Sequence, residues 1–107
     1  MNLLNKKSLE RVKEKPFDRS QIKIFLKELK NTWETVDDKK IVFTFKLKTF
    51  KEAIAFVNKI ADLAESENHH PNIHIHYNKV RISLATHSVG GLSENDFIVA
   101  AKIEEFI

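Results

Sequence analysis

The chain has 107 residues, 42% of them apolar with only two each of Gly and Pro, a composition that suits one ordered domain with a single core and little linker. It contains no cysteine, which excludes disulfides, thiolate nucleophiles and every Cys-based zinc or iron–sulfur site. Its 18 basic and 15 acidic residues are interspersed, so the net charge of +3 reads as a mixed, solvated surface and does not point to a nucleic-acid partner.

Residues 1 to 17, ending at Pro16-Phe17, form a charged and weakly apolar stretch, expected to be a lead-in with freedom to move. It lacks the apolar segment of a secretory signal, and no run in the chain is long enough to span a membrane, so a cytoplasmic location is expected. From Asp18, Ile22, Phe25, Leu26 and Leu29 recur at helical spacing, which predicts an amphipathic helix over residues 19 to 30. Trp33 to Val36 is a short strand candidate. Ile41, Phe43, Phe45 and Leu47 alternate with Val42, Thr44 and Lys46, and the polar Asp37 to Lys40 turn between the two runs makes a hairpin.

Thr49 and Glu52 have the spacing of a capping box, and the apolar stripe that follows predicts a helix over residues 50 to 67. Phe56 and Leu63 lie off the centre of that stripe and fit either a widened core face or a subunit contact. A second hairpin is expected from Asn72 to Ala85, turning at Asn78-Lys79 because Asn tolerates positive φ. Ser93 and Asp96 repeat the cap spacing before a terminal helix containing Phe97, Ala100, Ala101 and Ile103. The fold class is therefore α+β, a four-stranded antiparallel sheet with helices packed on one face in the order α-β-β-α-β-β-α. Residues 1 to 107 make a single domain.

All five histidines fall between positions 69 and 87. With the turn at Asn78-Lys79, Tyr77 would oppose Val80, and His87 would lie opposite His70 on the face that also carries His74 and His76. Pro71 would loosen the pairing there and open a pocket rim. Imidazole, with an ordinary pKa of roughly 6.5, can both give and take a proton near neutrality. Several converging on one pocket suit the removal of a proton from one substrate atom while a leaving group is protonated on another. His74-x-His76 could hold a metal, but no third ligand stands in line, and neither metal nor cofactor is expected. Glu65 can be a solvated helix residue, and Asp96 can simply be the cap partner of Ser93. Gly90-Gly91 lacks the lysine and the longer glycine pattern of a phosphate loop.

The run Glu65-x-x-x-His69-His70-Pro71, with Tyr77, His87 and Asp96 at fixed distances beyond it, resembles the signature of the pterin-4a-carbinolamine dehydratases. The resemblance covers about the last three quarters of the chain. It implies dehydration of 4a-hydroxytetrahydropterin to quinonoid dihydropterin in tetrahydrobiopterin recycling, on an α+β fold that assembles into homodimers or homotetramers. By the same resemblance His69, His70 and His87 carry the acid–base work, with Glu65 and Asp96 supporting them. Asn68, His69, His70, Pro71, Ala85, Thr86, His87 and Ser88 would contact the pterin. Asn68 stands where many members have Asp, and Ala85 where some have a small hydroxyl residue. Other roles the resemblance allows are a protein-binding module acting as a dimerisation partner or coactivator, and a pterin enzyme serving molybdopterin metabolism.

Overall fold

The structure, a computed structural model, describes residues 1–107. Helix α1 (Arg19–Leu26) is followed by strands β1 (Glu34–Val36) and β2 (Lys40–Lys46), helix α2 (Phe50–Glu67), strands β3 (Asn72–His76) and β4 (Lys79–Leu84), and helix α3 (Glu94–Glu104). The two hairpins join edge to edge through β2 and β4, giving an antiparallel sheet in the order β1-β2-β4-β3. Ile41, Phe45, Val80, Ile82 and Leu84 are buried on one face of the central pair, against the helices, while Thr44, Lys46, Lys79 and Arg81 on the other face are exposed. The α+β architecture with helices on one face is as the periodicity implied. No helix is long and apolar enough to cross a membrane.

Local chemistry explains most element boundaries. Asp18 and Gln21 close a full capping box on α1, and Ser93 and Asp96 close another on α3. On α2 the box is half made: Thr49 Oγ1 accepts from the Glu52 N–H, but the Glu52 carboxylate turns to the Lys48 N–H. Helix α1 ends at Leu26, short of the expected residue 30, because the buried Glu104 carboxylate captures the N–H groups of Lys30 and Asn31 and the indole N–H of Trp33. Phe56 is buried and Leu63 packs against the core, so both belong to a widened core face of α2.

Two expectations about the second hairpin are corrected. The β3–β4 turn is Tyr77-Asn78, not Asn78-Lys79, and Ile75 opposes Val80. Tyr77 takes the positive φ (55°), while Asn78 is committed elsewhere: its Nδ2 donates to the Leu47 carbonyl, and its own carbonyl accepts the Leu47 N–H. A slip of two residues preserves the faces, so His74 and His76 still look away from the core. Secondly, the ladder stops at Asn72 and Leu84, and His87 does not continue it; His87 begins a 3-10 turn, His87–Val89. Strand β3 lies at the sheet edge, and Ile73 remains 36% exposed on the core side.

The lead-in runs along the ends of α2 and α3. Leu3 is buried, the Ser8 N–H donates to Glu67 Oε1, and Leu9 exchanges two hydrogen bonds with the side chain of Asn95.

Candidate active site

Helix α2 ends by turning its last carbonyls onto the residues that follow. Asn68 adopts the left-handed conformation (φ 49°), and the His69 N–H donates to the Ala64 carbonyl, closing the helix with an i to i+5 bond. A short polar residue is suited to that conformation, and either Asn or Asp supplies one. The left-handed step sends His69 under the start of α3 and leaves His70 outside.

His69 Nε2 lies 2.7 Å from Asp96 Oδ1, with the His69 side chain 11% exposed and the Asp96 side chain fully buried. The other Asp96 oxygen accepts from Thr86 Oγ1 at 2.8 Å and from the Ser93 N–H at 3.0 Å. Since the single hydroxyl proton of Thr86 is spent on Asp96, its 2.7 Å contact with Ser93 Oγ has Ser93 donating. Ser93 Oγ accepts in turn from the Asn95 N–H. The donors therefore run in one direction, Asn95 to Ser93 to Thr86 to Asp96, and the carboxylate's remaining oxygen receives the N–H of His69. In the neutral imidazole that direction puts the His69 proton on Nε2 and the lone pair on Nδ1.

His87 is placed by a closed four-residue loop. Thr86 and Gly91 exchange two backbone hydrogen bonds, and Gly90 takes a positive φ of 73° between them. Gly91 lies against Pro16; a Cβ there would come within 2.9 Å of a proline carbon, so the residue must be glycine for the lead-in to pass. His70 Nε2 meets Glu65 Oε2 at 2.5 Å, both side chains largely exposed at 55% and 77%, a contact that orients the ring more than it stabilises the fold.

Asn68, His69, His70, Ala85, Thr86, His87 and Ser88 line one open cavity of about 630 Å3, within the range of small-molecule sites. Pro71 does not line it, and Glu65 and Asp96 stand behind their histidines. His74 and His76 are on the exposed face of β3 and take no part, and no group of three or more potential ligands is arranged to hold a metal ion. What the sequence reading missed is a further wall, Lys7 to Val12, which lines the cavity together with Ser66, Glu67 and Asn95. The only hint in the sequence is Leu9 and Val12 standing three apart in an otherwise charged stretch.

Glu67 ties the end of α2 to the lead-in. Burial opposes its charge most strongly, but the hydrogen bond from Lys102 (2.7 Å), the Ser8 N–H and the charges of Lys102 and Lys7 together outweigh it, holding the carboxyl below its ordinary 4.5.

Residues 15–106 match the family model described as pterin 4 alpha carbinolamine dehydratase. The chain belongs to this family. A relative from Alkaliphilus metalliredigens is 41% identical over 90 residues, covering 84% of this chain and 81% of the relative. One from Chloroflexus aggregans is 52% identical over 75 residues, covering 70% and 80%. Both carry the name pterin-4-alpha-carbinolamine dehydratase as a provisional assignment. Among solved structures, the transcriptional coactivator/pterin dehydratase from Brucella melitensis superposes with a TM-score of 0.79 at 35% identity, over 84% of this chain and 96% of that one. A pterin dehydratase-like protein described as a RuBisCO assembly factor in the alpha-carboxysome shares the fold, with a TM-score of 0.62 at 22% identity over 71% of this chain and 89% of that one.

Proposed function

We propose that this dehydratase-family chain eliminates water from 4a-hydroxytetrahydropterin, giving quinonoid dihydropterin. The N5–H bond and the C4a–OH bond break, the N5 electron pair forms the N5=C4a double bond, and hydroxide leaves as water with one added proton. No electrons are gained or lost overall, so acid–base groups suffice. His69 takes the N5 proton through Nδ1, the nitrogen that the hydrogen-bond chain through Asp96 leaves free. His87 protonates the departing hydroxyl, and His70, oriented by Glu65, positions the ring system. Asn68, Ala85, Thr86 and Ser88 border the pterin, with Pro71 setting the bend behind His70.

The observation that carries this reading is the buried Asp96 carboxylate, which ends the donor chain on one oxygen and holds a mostly buried imidazole with the other, at a cavity that has two further histidines. The test is to generate the carbinolamine with an aromatic hydroxylase and follow its dehydration by stopped-flow absorbance with purified protein. His69→Ala and His87→Ala are each expected to lower kcat by about 10² to 10⁴. Wild-type activity that survives both changes would remove these residues from the mechanism. Acid and base must act together, so kcat/KM is expected to trace a bell against pH, and a flat profile from about pH 5 to 9 would count against it.

A second reading takes its support from the Brucella melitensis protein, whose description names a coactivator as well as a dehydratase. As a protein-binding module the chain would form a stoichiometric complex with a partner while leaving the carbinolamine untouched. We read the chain further as a cytoplasmic homodimer or homotetramer, which light scattering on the purified protein would check.

A further inference from the structure

Residues Lys7 to Val12 have no part in the acid–base chemistry, yet all six line the cavity. They also lie outside residues 15–106, the span that matches the family model. Two buried side chains hold this strap in place. Glu67 accepts the Ser8 N–H at 2.8 Å, and the Ser8 hydroxyl donates to the Glu67 carbonyl. Asn95 accepts the Leu9 N–H at 3.0 Å and Arg11 Nε at 2.9 Å through Oδ1, and donates to the Leu9 carbonyl at 2.7 Å. Each anchor stands beside an acid–base residue in sequence: Glu67 is two before His69, and Asn95 is next to Asp96. The strap is therefore held in register with the histidines by the same two helices.

The chemistry of the wall differs from the rest of the site. Three apolar residues line the cavity, Leu9, Val12 and Ala85, and two of them are on the strap. Leu9 and Val12 are 63% and 62% exposed, with nothing in the chain covering them. A flat heteroaromatic ligand needs apolar surface to lie on as well as polar groups to fix its edges, and the histidine side provides mainly the second.

We propose that Leu9 and Val12 are substrate-binding residues: the strap is the apolar wall on which the bicyclic ring of a pterin rests while its N5–C4a edge faces the histidines. The proposal rests on the pterin reading of the site. The wall contributes to binding in the ground state and the transition state alike, so its loss raises KM and leaves kcat in place.

The test is Leu9→Ser/Val12→Ser, a change at exposed positions that the core does not use, with Ile24→Ser, 55% exposed and away from the cavity, as the control. Affinity for 7,8-dihydrobiopterin is measured by fluorescence, alongside KM and kcat for the carbinolamine. The double variant is expected to weaken binding and raise KM by about tenfold, the scale of partly uncovering two aliphatic side chains, with kcat within about twofold. The pterin should also shield the bond after Arg11 from trypsin in the wild type, which a strap serving only as a brace would not show. Unchanged affinity and KM, or an equal loss in the control, would overturn the wall. A wild type that binds the pterin without turning it over would sink the dehydratase reading and leave the affinity comparison to decide the wall; a wild type that binds no pterin sinks both.

Discussion

Asp96→Asn isolates the hydrogen-bond chain from the cavity it serves, because the two side chains are nearly identical in volume. In the wild type both Thr86 Oγ1 and the Ser93 N–H donate to Asp96 Oδ2, so an amide at this position has to place its oxygen there. Its NH2 then faces His69 Nε2 across the 2.7 Å now occupied by a carboxylate oxygen. Two donors cannot share that contact. His69 must move its proton to Nδ1, and the nitrogen proposed as the base loses its lone pair. If general-base catalysis contributes the usual 10² to 10⁴, kcat should fall by about 10³, roughly 4 kcal/mol on the barrier. Stability should change far less. Charge-assisted hydrogen bonds become neutral ones at constant shape, a cost of about 1–2 kcal/mol. Stopped-flow dehydration gives the first quantity, urea unfolding the second, and 15N NMR of the His69 ring reports which nitrogen carries the proton. A variant whose ring proton has moved but whose kcat stays within a few-fold of wild type would refute the assignment of His69 as base.

Three further outcomes are expected. Thr86→Val leaves the buried Ser93 hydroxyl without its acceptor and Asp96 Oδ2 with one donor, which should destabilise the fold by about 1–3 kcal/mol in urea titration, with a smaller kcat loss than Asp96→Asn. Glu67 has a folded pKa below its ordinary 4.5, so its charged form stabilises the fold fully above that value and progressively less as the pH drops through the folded value. Glu67→Gln should accordingly flatten the acid limb of the midpoint-versus-pH curve, and a limb as steep as wild type would count against this linkage. Glu65→Gln should cost less than about 0.5 kcal/mol in stability, its pair with His70 being largely exposed, and should act on KM through ring positioning; a large kcat loss would place His70 in the proton transfer instead.

Periodicity and cap residues carried much of the architecture. Alternation from Ile41 to Phe45 and from Val80 to Leu84 identified the two central strands, and the α2 stripe returned that helix with the bounds expected for it. These are local signals, because a side chain's face follows from the pitch of its own element. The family signature likewise picked out the histidines that share the cavity, with His74 and His76 outside it.

Where an outcome depended on a group distant in sequence, the local pattern erred. Helix α1 stops early because Glu104, more than 70 residues away, takes the N–H groups of Lys30 and Asn31 that would continue it, and the β3–β4 turn shifts because Asn78 is claimed by Leu47. The strap gives the clearest case: a charged stretch read as free to move is bound by Glu67 and Asn95, whose competing partners no spacing rule could reveal. Sequence alone thus determined which faces are apolar, where helices can start and which histidines line the cavity. Only the tertiary structure decided that Asp96 caps α3 with one oxygen and orients His69 with the other, because a carboxylate can serve two elements only once folding has brought both to it.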